Sequence, residues 1–351
     1  MSIFKDHIDA MSAYKPPLEG RDPVEYTLLD FNERTIEVVE PIRQALHALV
    51  DSGRLHMYPS YGDITQKIAA YTGVKPEQVM ITNGSDQGID LIIRSASQAG
   101  DEIIIPGPSF AMYSQCAKYE GLTMVEPQYT RDGGYPVEEV IAAVTDKTRV
   151  VVISNPNNPC GTLVQPDDIV RVAQSAPRAA ILVDECYFEY SQITVADRLE
   201  ECPNIVITRT FSKTWGLPSI RLGYVLSVAD NINALLNVRG PYDINQFAVA
   251  AVNAGLDAPE VTLAYVDEVM GSAKPMLEAF LEQAGIDYWP SVANYLWTFP
   301  EEPERLEAAL RAKKILVRPK ADAAGRLGLR ITIGTVEQTR AVIEALRGAL
   351  G

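Results

Sequence analysis

The chain has 351 residues, 47% of them hydrophobic and 22% charged, enough to bury an extensive core in one large unit with a smaller appendage. Its 31 basic and 46 acidic residues give a net charge of −15, which argues against a general affinity for nucleic acid or anionic membrane. The four scattered cysteines and three histidines offer no spacing for a disulfide framework, a metal site or a histidine-based hydrolase. The first residues lack a basic start followed by an apolar core, and no apolar run approaches the roughly 20 residues of a membrane span, so a cytoplasmic protein is expected.

Residues 1–35 are proline-punctuated and read as an arm across a surface rather than the start of a sheet. Helical spacing of Ile42, Ala45, Leu46 and Leu49 predicts a helix over 41–50, and a second follows over 63–71. Then strands and helices alternate. Strands are expected at 79–82, 101–105, 123–125, 149–153, 179–183, 204–208 and 222–226, with helices near 89, 109–119, 137–144 and 166–176. That alternation implies a mainly parallel sheet covered on both faces. Beyond it, 261–282 reads as one long helix, 294–299, 315–317 and 329–333 as strands, and 336–350 as a closing helix. The expected division is an arm (1–35), a large unit (36–255) and a small unit (256–351) packing with the arm.

Lys213 follows the apolar strand Asn204–Thr208 and stands among hydroxyls, in Arg209-Thr210-Phe211-Ser212-Lys213-Thr214, with Arg221 eight residues on. Its amine can form an imine with a phosphate-bearing aldehyde such as pyridoxal phosphate, while Thr210, Ser212 and Arg221 supply neutral and charge-assisted donors to a phosphate. Asp184 closes the strand before it, at the sheet end where ligands bind, and a carboxylate there can keep a pyridine nitrogen protonated. The turn Ser154-Asn155-Pro156-Asn157-Asn158-Pro159-Cys160-Gly161 follows another central strand and offers Asn158 to a phenolic oxygen.

In this order and spacing, these motifs resemble the fold-type I pyridoxal-phosphate enzymes, specifically class I/II aminotransferases near histidinol-phosphate aminotransferase. The likeness extends over nearly the whole chain, through Tyr14-Lys15-Pro16-Pro17, Asn32-Glu33, Tyr58-Pro59, Asn83-Gly84-Ser85-Asp86, Asp184-Glu185-Cys186-Tyr187, Pro241-Tyr242-Asp243-Ile244-Asn245 and Leu329 to Thr335. It implies an α/β aspartate aminotransferase-like fold with a seven-stranded sheet, and pyridoxal 5'-phosphate held as a covalent aldimine at Lys213. It implies a phosphate site of Ser85, Asp86, Thr210, Ser212 and Arg221, with Tyr58 reaching in from the other subunit of a homodimer. Asn158 and Tyr187 would hold the phenolic oxygen, Phe110 would stack on the ring, and Lys213, Asp184 and Tyr187 form the catalytic set. Substrate contacts fall to Arg330, Arg318, Asn158, Tyr14 and Asn32. The implied reaction moves an amino group from a donor, histidinol phosphate foremost, to 2-oxoglutarate by a ping-pong route; aromatic or specialised amino acids, and decarboxylation of the threonine-phosphate type, are the rival chemistries. A pyridoxal-phosphate-sensing regulator is disfavoured by the short arm and acidic charge. Arg34-Thr35-Ile36-Glu37 replaces a Gly-Pro-Ser loop in a region that faces substrate in that family, Cys160 stands for a threonine, and Pro218 for a small residue.

Overall fold

In the computed structural model, which describes residues 2–350, the arm is partly sheet: β1 (Thr27–Leu28) pairs in parallel with Ile315–Leu316. This corrects the expectation of an arm lying only across a surface. Two backbone hydrogen bonds, Thr27 N–H to the Lys314 carbonyl and Leu29 N–H to the Leu316 carbonyl, tie the arm to the small unit.

The large sheet consists of β2 (Val79–Thr82), β3 (Glu102–Ile104), β4 (Thr123–Val125), β5 (Thr148–Ser154), β6 (Ala180–Asp184), β7 (Ile205–Thr210) and β8 (Gly223–Leu226). Their spatial order is β2-β8-β7-β6-β5-β3-β4, and only β8 runs antiparallel to its neighbours. A parallel return usually needs a crossover helix, and the connection between β7 and β8, residues 211–222, holds the Lys213 segment and no helix. The β-branched runs of β5 to β7 are buried on both faces: Val151, Ile153, Ile181 and Val183 enter one core cluster, and Val150, Val152 and Leu182 another.

The small unit adds β9 (Asp287–Trp289), β10 (Tyr295–Phe299), β11 (Ile315–Leu316), β12 (Arg318–Ala321) and β13 (Leu327–Thr332), four of which form an antiparallel sheet in the order β12-β13-β10-β9. The long helix expected over 261–282 is a continuous helical run, Pro259–Glu268 and Lys274–Gln283, joined through a π-turn at Val269–Ala273. Pro275 has no N–H to extend the ordinary ladder, and the wider turn absorbs that break. Helix Gln246–Asp257 crosses position 255, and its buried Val249, Ala251 and Val252 belong to the large unit's core. No helix among the described residues is long and apolar enough to cross a membrane.

Candidate active site

Three strand ends converge. Ser154, the last residue of β5, pairs in register with Asp184 at the end of β6, and Asp184 pairs with Thr208, two residues before β7 ends. Beyond these ends lies a cavity of about 250 Å³, the crevice position expected for a mainly parallel α/β sheet. A larger open groove of about 960 Å³, lined by Arg131, Lys274 and Tyr288, shares no lining residue with it.

The loop after β7 aims Lys213 into the cavity by burying its neighbours. Phe211 and Trp215 are enclosed, and the buried Glu189 carboxylate accepts from Thr214 Oγ1 (3.3 Å) and Trp215 Nε1 (3.0 Å). Lys213 Nζ donates to the Phe31 carbonyl at 2.9 Å and pairs with no carboxylate among the described residues. Asp184 is buried at the cavity's base, its Oδ2 accepting from Tyr113 Oη at 2.5 Å and its Oδ1 from Thr208 Oγ1 at 3.1 Å. Burial pushes its pKa up, opposed by hydrogen bonds from Cys186, Tyr113 and Thr208. No cationic side chain among the described residues pairs with it, so the pocket presents a desolvated carboxylate suited to a cationic ring nitrogen.

The opposite end is built for an anion. Helix Gly84–Ala96 begins there, with Ser85 and Asp86 in its first turn, and N-terminal backbone N–H groups favour phosphate. Gly223 lets β8 pass this turn, since a Cβ there would sit 2.6 Å from the Ser85 nitrogen. Thr210 and Ser212 line the same end, and Arg221 donates to Ser212 Oγ (3.4 Å) and to Asp86 Oδ2 (3.2 Å). The Asp86 carboxylate is acceptor-only, so its side chain steers Arg221 rather than donating to an anion.

Among the other expected residues, Tyr14, Phe110, Asn158 and Tyr187 line the cavity. Asn32 donates to Tyr187 Oη at 2.9 Å, and Arg330 spans from Asn158 Oδ1 (2.5 Å) to the Asp30 carbonyl (2.6 Å). Arg318 lies opposite Arg330 in the β12–β13 register, its guanidinium 5.5 Å from the Phe31 ring centre. These two arginines and Asn32 stand behind the lining rather than in it. Tyr58 is not brought to its own chain's site: it is 78% exposed and stacks on Tyr242 at 4.4 Å.

Arg34 faces elsewhere than its region suggested. Its Nη1 donates to the carbonyls of Thr214 (3.2 Å) and Thr262 (3.0 Å), and its guanidinium covers the Tyr265 ring, because a half-buried cation takes the carbonyls within reach. Phe31 and Glu33 line the cavity instead, with Glu33 held by Arg21 at 2.6 Å. Sequence reasoning did not single out Tyr113, the donor to Asp184. One more residue of the predicted helix 109–119 gave no sign that it would face a strand-end acid.

A buried acid without a cation, an amine free of carboxylates and an anion end with hydroxyls and an arginine fit pyridoxal phosphate. Fold and site together define an α/β transferase of the aspartate aminotransferase-like, fold-type I class. The family model for aminotransferase class I and II matches residues 25–346, and the chain belongs to that family. A histidinol-phosphate aminotransferase of Caldanaerobacter subterraneus subsp. tengcongensis is 31% identical over 93% of this chain and 94% of its own length. An aromatic amino acid aminotransferase of Mycobacteroides abscessus is 32% identical over 98% of both chains. Among solved structures, the histidinol-phosphate aminotransferase of Sinorhizobium meliloti in complex with pyridoxal-5'-phosphate matches with a TM-score of 0.88 at 21% identity, covering 100% of this chain and 98% of that one. The L-threonine-O-3-phosphate decarboxylase of Porphyromonas gingivalis gives 0.77 at 21% identity over 92% of this chain and 99% of that one. At such identities the likeness speaks for the fold.

Proposed function

We propose that this chain is a pyridoxal-phosphate-dependent aminotransferase that takes an amino group from histidinol phosphate or a related donor and passes it to 2-oxoglutarate in two half-reactions. The observation that carries this reading is the placement of the Lys213 amine and the buried, cation-free Asp184 carboxylate on one cavity. Bound there, pyridoxal phosphate supplies an electron sink that makes the proton on the donor's amine-bearing carbon removable. Asp184 holds the ring nitrogen's proton, aided by Tyr113 and Thr208. Lys213 would hold the aldehyde through Nζ, and the same nitrogen would carry the proton to and from the donor carbon. Asn158 and Tyr187, which line the cavity, would donate to the phenolic oxygen, and Phe110 would limit the ring's tilt. Ser85, Thr210, Ser212 and Arg221 anchor the phosphate.

Arg330, Arg318 and Asn32 border the donor's end of the site, and cations there suit an acidic donor. The aromatic amino acid aminotransferases among the 31–32% identical relatives support phenylalanine or tyrosine as the second reading of the donor. Tyr58, exposed beside Leu55, Met57 and Tyr242, supports a homodimer in which it enters the partner's site. Replacing Lys213 by Ala tests the reaction. Turnover should fall by at least about a thousandfold, as expected when a covalent nucleophile is lost, and borohydride should no longer fix cofactor to the chain. Borohydride labelling that persists in Lys213→Ala would refute it.

A further inference from the structure

Behind the cavity lining, Arg318, Arg330 and Lys320 gather across the β12–β13 pair, and Lys320 has no part in the proposed reaction. Arg318 and Arg330 face each other in the antiparallel β12–β13 register, and Lys320 follows Arg318 by two residues, on the same face of β12. The burial alternation of β12 agrees: Arg318 and Lys320 are half-buried, while Pro319 and Ala321 are exposed. Arg209, Arg239 and Lys274 each hold a carboxylate within 2.7 Å. None of the three cations here pairs with a carboxylate among the described residues. Asp30, whose carbonyl accepts from Arg330, commits both carboxylate oxygens to Arg21 at 2.8 and 2.9 Å.

Two further observations mark this face as short of an anion. Arg330 is 7% exposed, yet its Nε is buried with no hydrogen-bond partner, a costly state unless a ligand satisfies it. Lys320 is pulled down to about 8, first by burial and then by Arg330 and Arg318, while the neighbouring Cys160 thiol is pushed up to about 12 and brings no balancing charge. Like charges gathered in a half-desolvated site repel until an anion separates them. A carboxylate would neutralise one charge of three. A phosphate monoester, with a charge near −2 at neutral pH and three acceptor oxygens, would neutralise two.

We propose that Lys320 completes a three-cation site with Arg318 and Arg330 and selects donors that carry a phosphate monoester over donors that carry only a carboxylate. This rests on the aminotransferase reading of the same site and assigns Lys320 as its specificity-determining residue. Calorimetric titration of the cofactor-loaded protein with phenyl phosphate and with phenylacetate tests it, because neither probe has an amine and neither can react. Wild-type protein should prefer phenyl phosphate. Lys320→Met should weaken phenyl phosphate by about tenfold or more, the size of one lost charge-assisted contact, and phenylacetate by less than about threefold. Lys320→Arg should retain most of the preference. Lys320→Gln carries the same expectation as Lys320→Met should the latter fail to fold. Equal losses on both probes, or no loss on either, would overturn the assignment. A protein that transaminates yet binds the probes alike with and without Lys320 loses this inference alone. A protein that loses phenyl phosphate with Lys320 but transaminates no amine keeps the anion site and loses the proposed reaction.

Discussion

Asp184 spends both oxygens on hydroxyls, Tyr113 on one and Thr208 on the other, and with no cation at hand its charge is held at a cost. Since burial raises its pKa above the ordinary 3.8, the native cofactor-free protein binds more protons than the unfolded chain from that value upward. Its contribution to stability is therefore greatest at acid pH and is lost as pH climbs through the raised value. A ring nitrogen that carries a proton beside Asp184 reverses this. The rise in Tm on loading cofactor should accordingly be larger at pH 7 than at pH 5. An equal rise at both would separate Asp184 from the cofactor. Tyr113→Phe removes one of the two hydroxyl donors and leaves a buried acceptor half satisfied, a loss of about 1–3 kcal/mol. Turnover should fall about tenfold or more, with the acid limb of the pH–rate profile moved to higher pH; an unmoved limb would leave Tyr113 a packing residue. Lys320 titrates in the opposite sense. Only its protonated form attracts an anion; burial lowers its pKa first, then Arg330 and Arg318, and the Cys160 thiol is the other titratable group beside it. Affinity for phenyl phosphate should decline as pH rises through about 8, and this decline should vanish in Lys320→Met.

At the scale of elements, the anion end depends on the close approach of β8 at Gly223. A Cβ on Gly223 would come within 2.6–2.7 Å of the Ser85 nitrogen, the Arg209 carbonyl oxygen and the Gly84 carbonyl carbon. All three are backbone atoms. Gly223→Ala must therefore push β8 from the start of helix Gly84–Ala96, at a cost of about 1–3 kcal/mol or more by overpacking. A lower Tm should accompany cofactor binding weakened by about tenfold; native affinity would show that the phosphate end tolerates the shift. The elements themselves were legible in uneven measure. The runs of β5 to β7 and the helices between them were readable because β-branched stretches and helical spacing are local signals. β12 was not, since Arg-Pro-Lys-Ala carries no apolar alternation and a proline in its second position. Its proline is tolerated because β12 is the edge of its sheet, a fact visible only in three dimensions. The same gap hid Lys320, whose company with Arg330 is set by strand register across a separation of ten residues in sequence.

For the whole molecule, the candidate site was legible where its residues lie on strand ends and the loops that follow them: Asp184, Asn158, Thr210 and Lys213 all fall at positions an α/β sheet reserves for ligands. Tyr113 and Phe31 were not legible, one because helix faces are decided by packing, the other because the arm folds back over the cavity. Tyr58 belongs to this scale too. Exposed on its own chain beside Leu55, Met57 and Tyr242, it completes a site only if two copies share their cavities. Specific activity should therefore fall on dilution in step with dimer dissociation measured by sedimentation, and full activity of a monomer would contradict the shared site.

The most direct test of the account is the absorbance of the cofactor-loaded protein as histidinol phosphate, phenylalanine and glutamate are added in turn, followed by 2-oxoglutarate. The visible band of lysine-linked cofactor should give way to the near-ultraviolet band of its aminated form, most readily with histidinol phosphate, and 2-oxoglutarate should restore it. A visible band that no amine removes, or one whose loss releases carbon dioxide and is not restored by the oxo acid, would contradict the proposed reaction.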